Sequence, residues 1–203
     1  MNTTLSYYQN NASELSKRYE SAEVSNLHKI LLETFTTNSK LLDIGCGSGR
    51  DTKFMVNNGY NLIAIDGSEN MIKEAKRIHP TIKPYFFVRE LPFQLDFKMN
   101  QFDGIYSIAT LMHLTKDEII ITIKQIYAIL KTNGKFLFSI SIERDDIDRD
   151  SKDIHQRQFT SLSEKEWLTI CEMYGFITLD TKVTNDGLNR DGIIWLTCIL
   201  QKT

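Results

Sequence analysis

The sequence predicts an α/β protein: a central, mostly parallel, seven-stranded sheet with helices on both faces and an antiparallel hairpin at its C-terminal end. Three observations predict it. Short apolar runs alternate with segments of helical spacing along most of the chain. The first apolar run stops at a glycine-rich turn, Gly45-Cys46-Gly47-Ser48-Gly49. The last two apolar runs have no helix between them, so they pair antiparallel.

The elements follow in order. Residues 5–36 read as a helical lead-in, with Leu27, Ile30, Leu31 and Phe35 at helical spacing. Lys40 to Ile44 is a short apolar run halted by glycines, the pattern of a buried parallel strand. Arg50 to Asn58 resumes helical spacing, and Gly59 suits a C-cap. Tyr60 to Ile65 is a second buried strand. Ser68 N-caps a helix that runs to His79, with Pro80 beyond its end. A third strand lies within Pro84 to Leu95, its limits blurred by Pro84 and Pro92. Phe102 to Ile108 is a fourth strand.

Thr115 opens a helix with Asp117 and Glu118 in its first turn, running to about Leu130. Asn133-Gly134 reads as a turn before a fifth strand, Lys135 to Ile142. Residues 143–160 are polar and read as a surface loop. Ser163 starts a helix that ends at Tyr174-Gly175. Phe176 to Val183 and Ile193 to Gln201 are the last two strands, joined by Thr184 to Asp191. No repeat or second domain is visible. The chain divides into a lead-in or lid (1–38), a ligand-binding core (39–142), and a lid loop with the terminal strands (143–203).

Composition narrows the function classes. A chain of 203 residues can bury roughly 70% of its unfolded surface, so a core needs no disulfide or metal. Net charge is −2, which argues against a strong non-specific hold on nucleic acid. The three cysteines, Cys46, Cys171 and Cys198, are far apart and lack metal-ligand spacing, which suits a reduced compartment. The first residues lack a signal-peptide pattern, and no run approaches a membrane span. The expected location is cytoplasmic, as a monomer or homodimer without membrane contact.

Glycines between a strand and a helix let the backbone turn sharply and approach a ligand. In an open α/β sheet that turn sits at the carboxyl ends of the strands, where ligands bind. A dinucleotide fingerprint would want a third glycine at position 50, which is Arg50 here. Asp43 before the turn and Asp51 after it suit a cationic or amine-bearing ligand better than a pyrophosphate. Asp66, at the end of the second strand, is placed to accept ribose hydroxyls.

These residues carry a resemblance. Leu42 to Asp51 resembles motif I of the class I S-adenosylmethionine-dependent methyltransferases. Ile65-Asp66-Gly67-Ser68 with Met71 resembles their second motif. Phe102 to Ser107, continuing to His113, resembles their fourth-strand motif, and Leu130 to Lys135 the turn before strand five. Tyr174-Gly175-Phe176 resembles the helix-to-strand junction near the end. The likeness spans residues 5–202 and is nearest to small, stand-alone bacterial members.

The resemblance implies a Rossmann-like methyltransferase fold, S-adenosylmethionine as cofactor with S-adenosylhomocysteine as product, and a small-molecule methyl acceptor modified at O or N. Asp43, Gly45, Cys46 and Gly47 would hold the methionine portion. Arg50 would lie beside its carboxylate, with Tyr8 or Arg18 from the lead-in. Asp66 would take the ribose, and Gly67, Ser68 and Met71 would wall the adenine. Phe93 and Gln94 are preferred over Glu90 and Leu91 for covering the adenine. Ile108 and Ala109 would line the pocket near the methyl group.

His113 is the candidate catalytic residue, either as a general base or by orienting the following loop. Methyl transfer mainly requires alignment of the acceptor. The acidic run Glu143 to Asp150 lacks the glycine and terminal glutamate of a calcium loop, and a mobile lid fits it better. Arg157 and Phe159 could then face the acceptor. No metal is expected. The alternatives are a tRNA or protein methyltransferase, a non-catalytic cofactor-binding module, and an NAD-dependent dehydrogenase.

Overall fold

The computed structural model describes residues 3–92, 94–186 and 191–203. Seven strands form one sheet in the order β3-β2-β1-β4-β5-β7-β6. They are β1 (Lys40–Ile44), β2 (Asn61–Asp66), β3 (Phe86–Val88), β4 (Phe102–Ile108), β5 (Leu130–Arg144), β6 (Phe176–Asn185) and β7 (Ile193–Lys202). The first five run parallel, and β7 lies antiparallel between β5 and β6. The chain leaves β1 toward β2 on one side and returns as β4 on the other. That reversal opens a crevice at the carboxyl ends of β1 and β4.

Period-two alternation explains the two-sided burial. Leu41, Tyr106 and Leu137 pack on one face with Leu31 of α2 (Ser25–Thr34), Phe35 and Met55 of α3 (Arg50–Asn57). Leu42, Ile105 and Phe138 point to the other face. There they meet Ile119, Ile123 and Ile126 of α5 (Lys116–Ile129) and Trp167 of α6 (Glu164–Glu172). Both of these last helices begin with a capping box. Thr115 is reciprocally bonded with Glu118, and Ser163 with Glu166. α4 (Glu69–Ile78) starts at Ser68, whose side chain accepts from the Met71 N–H.

Four expectations shift. The lead-in is two helices, α1 (Thr3–Glu20) and α2, and α1 packs on α4 through Ala12, Leu15 and Met71. The third strand is only Phe86–Val88, because Pro80–Tyr85 forms a tight 3-10 turn. Asn133-Gly134 does not precede β5 but lies inside it. The pairing with β4 slips from Phe102↔Leu130 to Gly104↔Lys135, and Asn133 absorbs the bulge at φ 63°.

The segment 143–160 is also less of a surface loop than its polarity implies. β5 continues to Arg144, and Asp153 and Phe159 are buried. Asp153 accepts from the backbone N–H of His155 and Arg157 and from the Arg157 guanidinium, which folds the segment back on itself. Among the described residues no helix is long and apolar enough to cross a membrane.

α2 reaches the sheet where β4 has no side chain. A Cβ on Gly104 would come within 2.4 Å of the Phe35 ring and 2.8 Å of Leu41. Gly104→Ala is therefore expected to destabilise the fold by about 1–3 kcal/mol through overpacking, measured as a lowered midpoint in urea with unchanged slope.

Candidate functional site

A cavity of about 690 Å³ opens over the carboxyl ends of β1, β2 and β4. Its floor is the glycine turn. The N–H groups of Gly45 and Cys46 both donate to the Ile65 carbonyl, at 2.8 and 2.9 Å. That places the turn directly against the end of β2. Gly45 has φ 76°, and a Cβ there would fall 2.0 Å from Thr110 Oγ1, so only glycine fits.

Asp66 joins the two sides of the crevice. One of its oxygens accepts from Gly47 N at 3.0 Å and the other from Ser68 N at 2.8 Å. Burial raises its pKa against the lowering effect of those two N–H groups. A carboxylate has about four acceptor positions, so acceptor capacity remains on both oxygens, and Asp66 lines the cavity.

Asp43 lies deeper. Its Oδ2 accepts from Thr52 Oγ1 at 2.5 Å and from Tyr106 OH at 3.1 Å. Burial is the main cause that raises its pKa, to about 7. Asp51 is held the other way. It starts from a burial cost, but His28 and Arg50 lower its pKa below the usual carboxylate range. Burial pushes the Cys46 thiol well above its ordinary range, which removes it as a nucleophile.

The roof is α1. Glu20 at its end accepts from Ser48 Oγ at 2.6 Å and pairs with His79 at 3.2 Å. Arg50 donates Nη1 to the Tyr19 carbonyl, with Nε and Nη2 on Asp51. Gln9 accepts from Ser68 Oγ and Asn70 N at the start of α4. Near the other end of α1, Thr4 Oγ1 accepts from Gln158 N at 2.7 Å.

His113 is half-buried among these groups and lines the cavity. Its Nδ1 lies 2.7 Å from the Gln158 carbonyl, which can only accept, so Nδ1 carries the proton. Nε2 then accepts from Tyr8 OH at 3.0 Å. Burial is the largest cause that lowers the imidazole pKa, to about 4, and Arg157 and Arg144 add to it. Burial also keeps Tyr8 protonated. In this geometry His113 ties the Gln158 backbone to Tyr8, and its Nε2 lone pair is taken by the Tyr8 hydroxyl.

Of the residues expected in the site, Tyr8, Arg18, Asp43, Gly45, Cys46, Gly47, Arg50, Asp66, Gly67, Met71, Ile108, Ala109 and His113 line this one cavity. Ser68 does not; it is the buried cap of α4. Gln94 does not either, because its side chain turns back to accept from Glu90 N at 2.9 Å. Glu90 and Leu91 form the wall instead. Phe93 lies outside the described residues. Sequence reasoning missed Arg144, Lys182 and Thr197 on the far wall. The alternation of the last two strands carries that signal, since Lys182 pairs with Thr197, and Thr184 with Trp195. Trp195 is a wall residue, its Nε1 donating to Asp186 at 2.8 Å.

A family profile described as "Methyltransferase domain" matches residues 42–138. A phosphoethanolamine N-methyltransferase of Plasmodium falciparum is 27% identical over 158 residues, 75% of this chain and 59% of that protein. The chain spans little more than half the length of the first curated relatives it matches. Among solved structures, a Burkholderia thailandensis 1,6-didemethyltoxoflavin-N1-methyltransferase with bound S-adenosylhomocysteine superposes with a TM-score of 0.80. Identity there is 21%, over 99% of this chain and 88% of that one. A TehB-like methyltransferase of Corynebacterium glutamicum gives 0.72 at 16% identity, over 95% and 98% of the two chains. The fold is thus that of the class I methyltransferases.

A depressed imidazole pKa has a defined sign. His113 stays neutral in the fold, so its contribution to stability is present above pH ~6.5 and is lost as pH falls through about 4. NMR titration of the His113 ring is expected to give a midpoint near 4. A midpoint near the unperturbed value of ~6.5 would contradict the buried geometry.

Proposed function

From the premise that residues 42–138 are a methyltransferase domain on the class I fold, we propose that this chain binds S-adenosylmethionine and methylates an oxygen or nitrogen of a small molecule. The observation that supports it best is Asp66. Its carboxylate is held by Gly47 N and Ser68 N and still faces the cavity with acceptor capacity on both oxygens. That arrangement suits the two hydroxyls of a ribose.

The donor set fits the rest of the cofactor. Asp66 and Glu90 put carboxylates on the cavity wall near the glycine turn, a lining less suited to a pyrophosphate than to a ligand without one. Arg50, the group best placed to neutralise a pyrophosphate, is already committed to Asp51 and the Tyr19 carbonyl. Gly67, Met71, Glu90 and Leu91 would wall the base, and Ile108 and Ala109 would border the reacting end. When bound, S-adenosylmethionine supplies a methyl on a sulfonium, passed to an acceptor lone pair as the bonding pair returns to sulfur.

The chain's own contribution is to align the acceptor and exclude water. Tyr8 and His113 hold each other, and His113 anchors the Gln158 backbone, so together they shape the wall beside the end of β4. A cavity near 690 Å³ has the size of a small-molecule site. Two similar proteins, a phosphoethanolamine and a didemethyltoxoflavin methyltransferase, are named for small-molecule acceptors.

Calorimetry with S-adenosylhomocysteine and with NADH tests the reading. Saturable binding of the first alone is expected, and binding of NADH alone would overturn it. Asp66→Ala is expected to weaken S-adenosylhomocysteine binding roughly ten- to hundredfold or more, because it removes hydrogen bonds to a charged group, about 1.5–3 kcal/mol, and also releases the clamp on Gly47 and Ser68, with an unchanged circular dichroism spectrum since the sheet stays intact. Unchanged affinity removes Asp66 from the site.

A further inference from the structure

The charges of the cavity are unevenly placed. Asp43, Asp51, Asp66 and Glu90 lie around the glycine turn and the end of β2, where Arg50 is paired with Asp51 and Arg89 follows β3, and Arg18 and Glu23 also line the cavity. The wall beyond His113 carries three cations, Arg144, Arg157 and Lys182, against the single carboxylate of Asp186. We propose that this second wall is a subsite for an oxyanion, a carboxylate or phosphate carried by the methyl acceptor. The inference deepens the methyltransferase reading and rests on it for the word acceptor.

The two arginines are built to present donors. Arg144 has a side chain only 4% exposed. It gives Nε and Nη2 to Asp146 at 2.8 and 2.5 Å, and among the described residues its Nη1 donates to nothing. Arg157 likewise gives Nε and Nη2 to Asp153. Its Nη1 has only a long contact, 3.4 Å, to Tyr8 OH. Neither Asp146 nor Asp153 lines the cavity. Each aspartate therefore locks one edge of its guanidinium from outside the cavity, which leaves Nη1 of Arg144, and one N–H of Arg157 Nη1 beside its contact to Tyr8, to donate to a ligand.

Aromatic rings fix both heads. The Phe159 centroid lies 3.9 Å from the Arg144 guanidinium carbon and 5.2 Å from that of Arg157. Lys182 projects from β6 without a carboxylate within 4 Å among the described residues, so its charge is uncompensated. Asp186, on the same wall, accepts from Trp195 Nε1. Two guanidinium groups held by aspartates and an ammonium lining the same cavity match the charge of an oxyanion. The Trp195 and Phe159 rings offer apolar surface to the body that carries it.

The test uses the full chain and matched probes: benzoate against benzyl alcohol, and phenyl phosphate against phenol. Each is titrated calorimetrically with and without S-adenosylhomocysteine. At least one anionic member is expected to bind tenfold or more tightly than its neutral partner, and the better of the two anions identifies carboxylate or phosphate as the group. Lys182→Ala and Arg144→Gln should each cut that preference severalfold while S-adenosylhomocysteine affinity stays constant. Lys182 is exposed, so its variant remains readable if Arg144→Gln does not fold.

Equal binding within both pairs, no binding of any probe, or a preference that both substitutions leave intact would overturn the subsite. Failure of S-adenosylhomocysteine to bind counts against the methyltransferase reading alone, since the anion preference is also measured without it.

Discussion

One carboxylate holds the crevice in shape. Asp66 accepts a hydrogen bond from each side of the gap, from Gly47 after β1 and from Ser68 after β2. The two turns belong to different βα units, and nothing in the sheet ladder constrains them beyond Ile44 and Asp66. The Ile65 carbonyl adds two more bonds to the glycine turn. Without this clamp the glycines that permit the turn would also permit many other conformations. The charge on Asp66 thus serves the apo fold as well as a ligand.

A second constraint sits below it. Asp43 is buried with a hydroxyl from α3 and another from β4 on the same oxygen. A buried carboxylate without partners is costly, so Thr52 and Tyr106 give the start of α3 a fixed place on the sheet. Asp51 and Asp66 both press on Asp43, and the environment separates Asp43 from Asp51. Arg50 and His28 lower the Asp51 pKa, while burial raises that of Asp43 to about 7.

Much of this was legible in the sequence, for identifiable reasons. β1, β2 and β4 are short apolar runs bounded by glycine or charge, and β4 occupies the expected residues, Phe102–Ile108. Thr115 and Ser163 announce their helices by Glu three positions later. What the pattern did not carry was tertiary. Gln94 could not be told from Glu90 as a wall residue, because the choice depends on a side chain folding back on a backbone N–H. Polar residues 143–160 read as solvated, yet Asp153 satisfies enough donors locally to let Phe159 bury. Arg144 and Lys182 are ordinary surface residues by composition. Only the pairing of β5 with β7, and of β7 with β6, brings them to one wall.

The roof over the cavity has a consequence of its own. α1 contributes no strand and none of the residues that pack the two faces of the sheet. It is fastened by polar groups, Thr4 near one end, Gln9 within and Glu20 at the other. Lifting it breaks those bonds and a small apolar cluster, while the sheet and its ladders are left intact. Such an opening belongs to the sub-global fluctuations of a native protein. Residence time of whatever the cavity encloses and thermodynamic stability of the whole chain are therefore set by different contacts, and a change that tunes one can leave the other where it was.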